Sequence, residues 1–184
     1  MTFSIRRERR TDEAAREHLL DAAYGPVRFQ KPSQKLREGR EAELSFVAVE
    51  DGRVVGTVRL WPVVAGAGQP ALLLGPLAVD PGYRNRGIGS ALVRRALRDA
   101  RRTHSAVLLV GDASYYGRFG FSAEKTGGLW LPGPYEAQRL LGHEFVAGSL
   151  DGARGLIRAP LRSPSRIAPL LDAVTRRRAA PQAA

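Results

Sequence analysis

Seven consecutive residues, Arg84-Asn85-Arg86-Gly87-Ile88-Gly89-Ser90, combine two guanidinium groups, two glycines and the opening of a helical apolar pattern. Such a segment suits a phosphate-bearing ligand. The first N–H groups of a helix have no intrahelical partner, and the summed peptide dipoles place partial positive charge at the same end. Glycines at 87 and 89 remove side chains that would hold a ligand off the backbone, while Arg84 and Arg86 add charge for phosphate oxygens. A diphosphate is the expected occupant. Two better-known phosphate loops do not fit the spacing. A dinucleotide fingerprint needs a third glycine where Leu92 stands, and a Walker loop needs a Gly-Lys-Ser/Thr ending that this segment lacks.

The elements around this loop are those of an α/β sheet. Leu72 to Val79 reads as a strand leading into the loop. From Ile88 to Ala100, Ile88, Leu92, Val93, Ala96, Leu97 and Ala100 share one helical face, opposite Arg94, Arg95, Arg98 and Asp99. Ala106 to Val110 is a short buried strand, and the intervening helix predicts that it runs parallel to Leu72–Val79. Upstream, Phe3 to Arg7 alternates as a short strand, and Thr11 introduces a helix running through Leu20. A second short helix is expected over Gln34 to Arg40. Leu44 to Val49 and Val54 to Leu60 form a hairpin about Asp51-Gly52, with a loop at Ala65 to Pro70. A short helix is expected over Ser114 to Arg118. Glu144 to Ala147 and Gly155 to Arg158 are expected to form a closing hairpin or edge strands about Asp151-Gly152. Pro76, which cannot donate to a ladder, marks either a bulge that parts this strand from a neighbour or an edge strand ending early.

The composition narrows the chemistry. At 184 residues the chain suits one domain, expected over 1–160, with a basic, Ala/Pro-rich extension over 161–184 that is partly helical or frayed. Without cysteine there is no disulfide, thiolate metal site or acyl-cysteine intermediate. His18, His104 and His143 lack the spacing of a metal site, so no metal is expected. No apolar stretch suits a membrane span and no secretory signal is read, which makes the cytoplasm the expected address. A net charge of +11 invites a nucleic-acid partner. The charge is nearly all arginine, however, and is spread along the chain with little aromatic interleaving, which favours a solvated basic surface around an anion site.

Taken together, Arg84 to Gly89, the preceding LGPLAVDP and the later GDASYYGRFGF resemble the GNAT superfamily of acyl-CoA-dependent N-acetyltransferases, and in particular its bacterial predicted N-acetyltransferases. The close resemblance spans Leu72 to Phe121, and the order of elements extends it from about Phe3 to Arg158. It implies a GNAT fold: a mixed central sheet flanked by helices and splayed between its two middle parallel strands. It also implies acetyl-CoA as co-substrate, with pyrophosphate on Arg84, Asn85, Arg86, Gly87, Ile88, Gly89 and Ser90. The pantetheine arm would lie along Leu77, Ala78 and Val79, where a main-chain N–H would polarise the thioester carbonyl. Tyr116, just ahead of Gly-Arg-Phe-Gly-Phe, falls where the family's tyrosine assists the departing sulfur, with Tyr115 as its rival and plain packing as the alternative. An ordinary phenol, with a pKa of about 10, stays protonated for that role at neutral pH.

The resemblance implies acetyl transfer to a primary amine of a small molecule or peptide. Direct attack in a ternary complex is expected, since the chain has neither cysteine nor a Gly-x-Ser-x-Gly elbow. No base stands out. Asp112 is the candidate, with turn formation or helix capping as its other reading, and Glu43 and Glu50 read as surface residues. Several members of the superfamily work without a dedicated base. Trp61, Pro62, Trp130 and the LPGPYEAQRLLG stretch either wall the acceptor pocket or simply pack. A homodimer is compatible with this reading, and a non-catalytic acyl-CoA sensor on the same fold is its main competitor.

Overall fold

The computed structural model describes residues 2–161. In chain order its elements are β1 (Ser4–Arg7), α1 (Glu13–Tyr24), α2 (Pro32–Lys35), β2 (Leu44–Glu50), β3 (Arg53–Ala65), β4 (Gln69–Val79), α3 (Ile88–Ala100), β5 (Ala106–Val110), α4 (Ala113–Tyr116), β6 (Leu129–Trp130), β7 (Leu140–Glu144) and β8 (Gly155–Leu156). Six strands form one mixed sheet in the order β1-β2-β3-β4-β5-β7, and β6 pairs with β8 in a small parallel sheet. Within the six-stranded sheet only β4 and β5 are parallel, joined by the crossover helix α3.

Local chemistry accounts for the hairpin and the crossover helix. Glu50 pairs with Arg53 across a two-residue turn in which Asp51 (φ 49°) and Gly52 (φ 75°) both take positive φ, as a turn matched to strand twist requires. The helical stripe of α3 buries Ile88, Leu92, Val93, Ala96 and Ala100. Along β4 the faces alternate: Leu72 and Leu74 join the α3-side core with Phe46 and Leu60, whereas Leu73 packs on the other face with Trp61 and Leu108. On that second face Leu19 and Leu20 of α1 pack against Ala78.

At Gly75-Pro76 the sheet opens. Pairing with β3 shifts by one residue there, from Leu60↔Leu74 to Val58↔Leu77, so β4 carries a bulge. Pairing with β5 is confined to Leu72↔Val107 and Leu73↔Leu108, although β4 runs on to Val79 and β5 to Val110. Of the two readings of Pro76, the bulged and parted strand is the one observed. The bulge is held from outside by the Trp61 indole, which donates to the Gly75 carbonyl at 2.7 Å.

Three sequence expectations shift. The helix expected over Gln34 to Arg40 is α2, which begins earlier because Pro32 is pre-set for a first helical position, and the following turn ends at Gly39 (φ 65°). The strand expected over Glu144 to Ala147 is instead β7, displaced towards the N-terminus. Gly142 lies inside it, and a side chain there would crowd its neighbours, since a Cβ would come within 2.9 Å of Leu150. No hairpin closes about Asp151-Gly152: β7 pairs with β5, and β8 with β6. The expected extension, apart from Leu161, lies outside the described residues. Among the described residues no helix is long and apolar enough to cross a membrane.

Candidate active site

The loop between β4 and α3 is built to present backbone. Asn85 (φ 61°) and Gly87 (φ 78°) take left-handed conformations, and Gly87 is the N-cap of a 13-residue helix. The first intrahelical bond runs from Ala91 N–H to the Gly87 carbonyl at 2.9 Å, so the Ile88, Gly89 and Ser90 amides precede the helical ladder. Arg84 and Arg86 are both exposed here, but they differ. Arg86 is anchored at 2.7 Å to Glu50 and lies over the Tyr83 ring, whereas Arg84 has no ion pair among the described residues. Glu50 is only 2% exposed, correcting its surface reading: it lies beneath the loop and offsets the charge of Arg86. Gly89 clears room for protein as well as ligand, since a Cβ there would meet the Tyr115 hydroxyl at 2.9 Å.

The parity of β4 decides which backbone groups face the opening. Asp80 N–H donates to the Val55 carbonyl at 2.9 Å, making Val55↔Asp80 a hydrogen-bonded pair. In the same register Thr57↔Ala78 is the next such pair. Ala78 and Asp80 therefore turn their main-chain groups towards β3. Leu77 and Val79 turn theirs towards the gap left by β5. The Leu77 carbonyl is taken by the Tyr24 hydroxyl at the end of α1, and its N–H remains on the gap side with both main-chain groups of Val79. Of the three residues expected along a pantetheine arm, Ala78 thus contributes a packing side chain and not a free amide.

At the bulge end of this gap lies a cavity of about 270 Å³, lined by Leu73 to Leu77, Val110, Tyr24, Tyr116 and residues of the α1–β2 and β6–β7 connections. Tyr116 is half-buried and lines it; its rival Tyr115 does not, standing instead beside Gly89 under the Arg118 guanidinium. Burial pushes the Tyr116 phenol well above its ordinary pKa, so it remains a proton donor throughout the neutral range. Its ring is seated against Tyr115 and Phe121, with centroids at 4.9 and 5.9 Å. Gly111 makes this possible, because a Cβ there would stand 2.3 Å from the ring.

Asp112 occupies the N-cap position of α4, where its carbonyl accepts from the Tyr115 and Tyr116 amides. Its exposed carboxylate lies 3.3 Å from Arg139. Capping by the main chain and ion pairing account for it. Glu43 faces His104 at 3.4 Å. Trp61 is 5% exposed and braces the bulge, and Trp130 is 51% exposed on β6; neither lines the cavity, whereas Leu131, Pro134, Tyr135, Glu136 and Arg139 of the LPGPYEAQRLLG stretch do. Among the described residues no His, Cys, Asp and Glu side chains cluster as a metal site. The cavity residues that sequence reasoning missed include Tyr24, Arg28, Lys31 and Arg37. Burial lowers the Arg37 pKa to about 10, so the guanidinium stays cationic at neutral pH, and desolvation lowers that of Lys31 as well. Their signal was slight: two of the three lysines of the chain, Lys31 and Lys35, fall in this poorly apolar connection.

A strand parted beyond a bulge, an amide-presenting loop and a tyrosine at their junction match the GNAT expectation. The Acetyltransferase (GNAT) family model covers residues 12–121. This chain belongs to the GNAT family. Among GNAT relatives, the uncharacterized N-acetyltransferase YhbS of Escherichia coli K12 is 31% identical over 156 residues, covering 83% of this chain and 93% of the relative. The crystal structure of E. coli YhbS in complex with CoA aligns with a TM-score of 0.74 at 30% identity, over 86% of this chain and 89% of that one. A GNAT acetyltransferase from Brucella melitensis in complex with acetyl-CoA aligns with a TM-score of 0.67 at 30% identity, over 86% and 96%. The family and fold expected from the sequence are thereby borne out.

Proposed function

We propose that this GNAT protein transfers the acetyl group of acetyl-CoA to a primary amine by direct attack within a ternary complex. The observation that carries the reading is the β4–β5 gap, which runs between the amide-presenting α3 loop and the cavity holding Tyr116. The CoA and acetyl-CoA complexes of the two similar structures support the same ligand here. The diphosphate would sit on the Ile88, Gly89 and Ser90 amides with Arg84, and the pantetheine arm would bond to Leu77 and Val79 across the gap.

The reaction then balances with few groups. The free-base amine attacks the thioester carbon, and a gap-facing β4 amide donates to the oxygen as it gains charge. Collapse of the tetrahedral adduct re-forms the carbonyl and breaks the carbon–sulfur bond. The departing sulfur receives a hydrogen bond or a proton from Tyr116, the excess proton on nitrogen leaves to water, and where the phenol has given up its proton water returns one to it, so the enzyme ends as it began. No buried carboxylate is needed if the amine arrives neutral, and the cationic cavity disfavours its ammonium form. Supply of acetyl-CoA fits the cytoplasm.

Calorimetry with CoA, followed by an amine screen for acetyl-CoA-dependent thiol release, tests the reading. Binding together with release is the expected result. The absence of a well-placed carboxylate among the described residues motivates the sensor alternative, which predicts tight CoA binding and no release with any amine.

A further inference from the structure

The charge lining the cavity is unevenly neutralised. Arg28 is paired with Glu17 at 2.6 Å and Asp21 at 2.9 Å, and Arg139 is paired with Asp112 at 3.3 Å and Glu136 at 3.6 Å. Arg37 and Lys31 have no carboxylate within 4.0 Å among the described residues. Both are held in place all the same. The Arg37 Nε and Nη2 donate to the Ser33 carbonyl at 3.0 Å and the Ser33 hydroxyl at 2.8 Å, fixing the guanidinium plane and leaving Nη1 unused. Lys31 Nζ lies 4.2 Å from the centre of the Tyr24 ring, whose hydroxyl donates to the Leu77 carbonyl. Two oriented cations without counter-ions thus sit in the cavity that also contains Tyr116.

Partial burial of a cation without a partner is unfavourable, and here Arg37 carries that penalty: it is half-buried and its pKa is lowered by burial, whereas Lys31 lines the same cavity while remaining exposed. Polyamines and other acceptors with several positive charges would add repulsion to that penalty. A ligand bearing an oxyanion would relieve it by accepting charge-assisted hydrogen bonds in a preset geometry.

We propose that the acceptor is a small primary amine carrying an oxyanion, a carboxylate or a phosphate, and that Arg37 and Lys31 bind this group while the amine points towards Tyr116. The inference rests on the acetyltransferase reading and specifies its substrate class. Arg37 and Lys31 are then specificity-determining residues. They need take no part in bond making.

Matched acceptors test it: glycine against glycinamide, O-phosphoethanolamine against ethanolamine, and putrescine as a dication, each assayed for thiol release from acetyl-CoA. The first pair reports on carboxylate and the second on phosphate. At least one anionic member is expected to exceed its neutral partner at least tenfold in kcat/KM, with putrescine poorest. Arg37→Gln should erase the preference mainly through KM while leaving CoA affinity unchanged, and Lys31→Gln should reduce it. Equal or better turnover of neutral partners or putrescine, unaltered by either variant, overturns the inference.

If CoA binds and no amine is acetylated, the enzyme reading fails separately. Calorimetry of N-acetylglycine against N-acetylglycinamide on the CoA-loaded protein then decides about the site. Tighter binding of the acid, lost in Arg37→Gln, upholds an oxyanion site; equal binding of the two removes it.

Discussion

Tyr116 and Gly111 act as a pair at the level of single side chains. The ring occupies the space that a Cβ at position 111 would fill, so Gly111→Ala forces the phenol to move without removing it. Tyr116→Phe does the reverse, keeping the ring and deleting the donor. Two distinct outcomes follow if the hydroxyl assists sulfur departure. Tyr116→Phe should lower kcat by about 10²-fold or more, with CoA affinity within about twofold of the parent. Gly111→Ala should lower kcat as well and also reduce the melting temperature, because overpacking a seated ring costs about 1–3 kcal/mol. Steady-state kinetics with calorimetric CoA binding and a thermal melt separate the two. Full turnover in Tyr116→Phe would remove the residue from the mechanism. The GDASYYGRFGF string contains Gly111, Tyr115 and Phe121 of the Tyr116 seat, but neither their contact with the ring nor the burial that raises its pKa can be read from their order.

At the scale of elements, the joint between β1 and α1 shows how charge sets a local geometry. Asp12 accepts two hydrogen bonds from Arg6 of β1, at 2.6 and 2.8 Å, and one from the Arg9 amide at 2.7 Å, just before α1 begins. The Arg6 guanidinium is the largest influence on the carboxyl group, and together these bonds hold its pKa at about 2 against the ordinary 3.8. A depressed carboxylate contributes its stability above the unfolded pKa and loses it as pH falls through the folded one. The loss should therefore fall between about pH 4 and pH 2, and it is on the order of 1–2 kcal/mol because Arg6 is partly solvated. Denaturant melts across that range should show Asp12→Asn destabilised at pH 7 and the gap to the parent closing towards pH 2; a constant gap would contradict the assignment. This joint was not legible beforehand, whereas α3, β5 and the Asp51-Gly52 hairpin were. Their signals are periodic or lie within a few residues, but the Arg6–Asp12 pair, the placement of Gly142 inside β7 and the burial of Glu50 depend on what the folded chain brings near. The same distinction runs through the site. The loop proposed to hold the diphosphate is a contiguous run from Arg84 to Ser90, while the cationic wall joins Lys31 and Arg37 to a cavity formed by β4, β5 and the β6–β7 connection.

Across the whole molecule, the two halves of the main sheet meet through only two paired positions, Leu72↔Val107 and Leu73↔Leu108, reinforced by α3 lying over one face. Closing the seam with further strand pairing would bury more backbone hydrogen bonds but would remove the gap. The bulge at Gly75-Pro76 and the Trp61 brace stand at this opening, and the Leu77 and Val79 amides face it. Bound CoA would then act as the missing strand and join the halves. At a hundredfold excess over its dissociation constant, a ligand specific to the folded state adds about 2.7 kcal/mol of stability. Where that stabilisation appears is diagnostic. Amide exchange resolved by NMR should slow most at Leu77 and Val79 when CoA is added, because those N–H groups gain an acceptor. Ala78 and Asp80, already committed to β3, should change less, reporting only the general gain in stability. A uniform slowing along β4, or a larger effect at Ala78, would mean that CoA does not enter the seam as a strand, and the route from the α3 loop to Tyr116 would have to be redrawn.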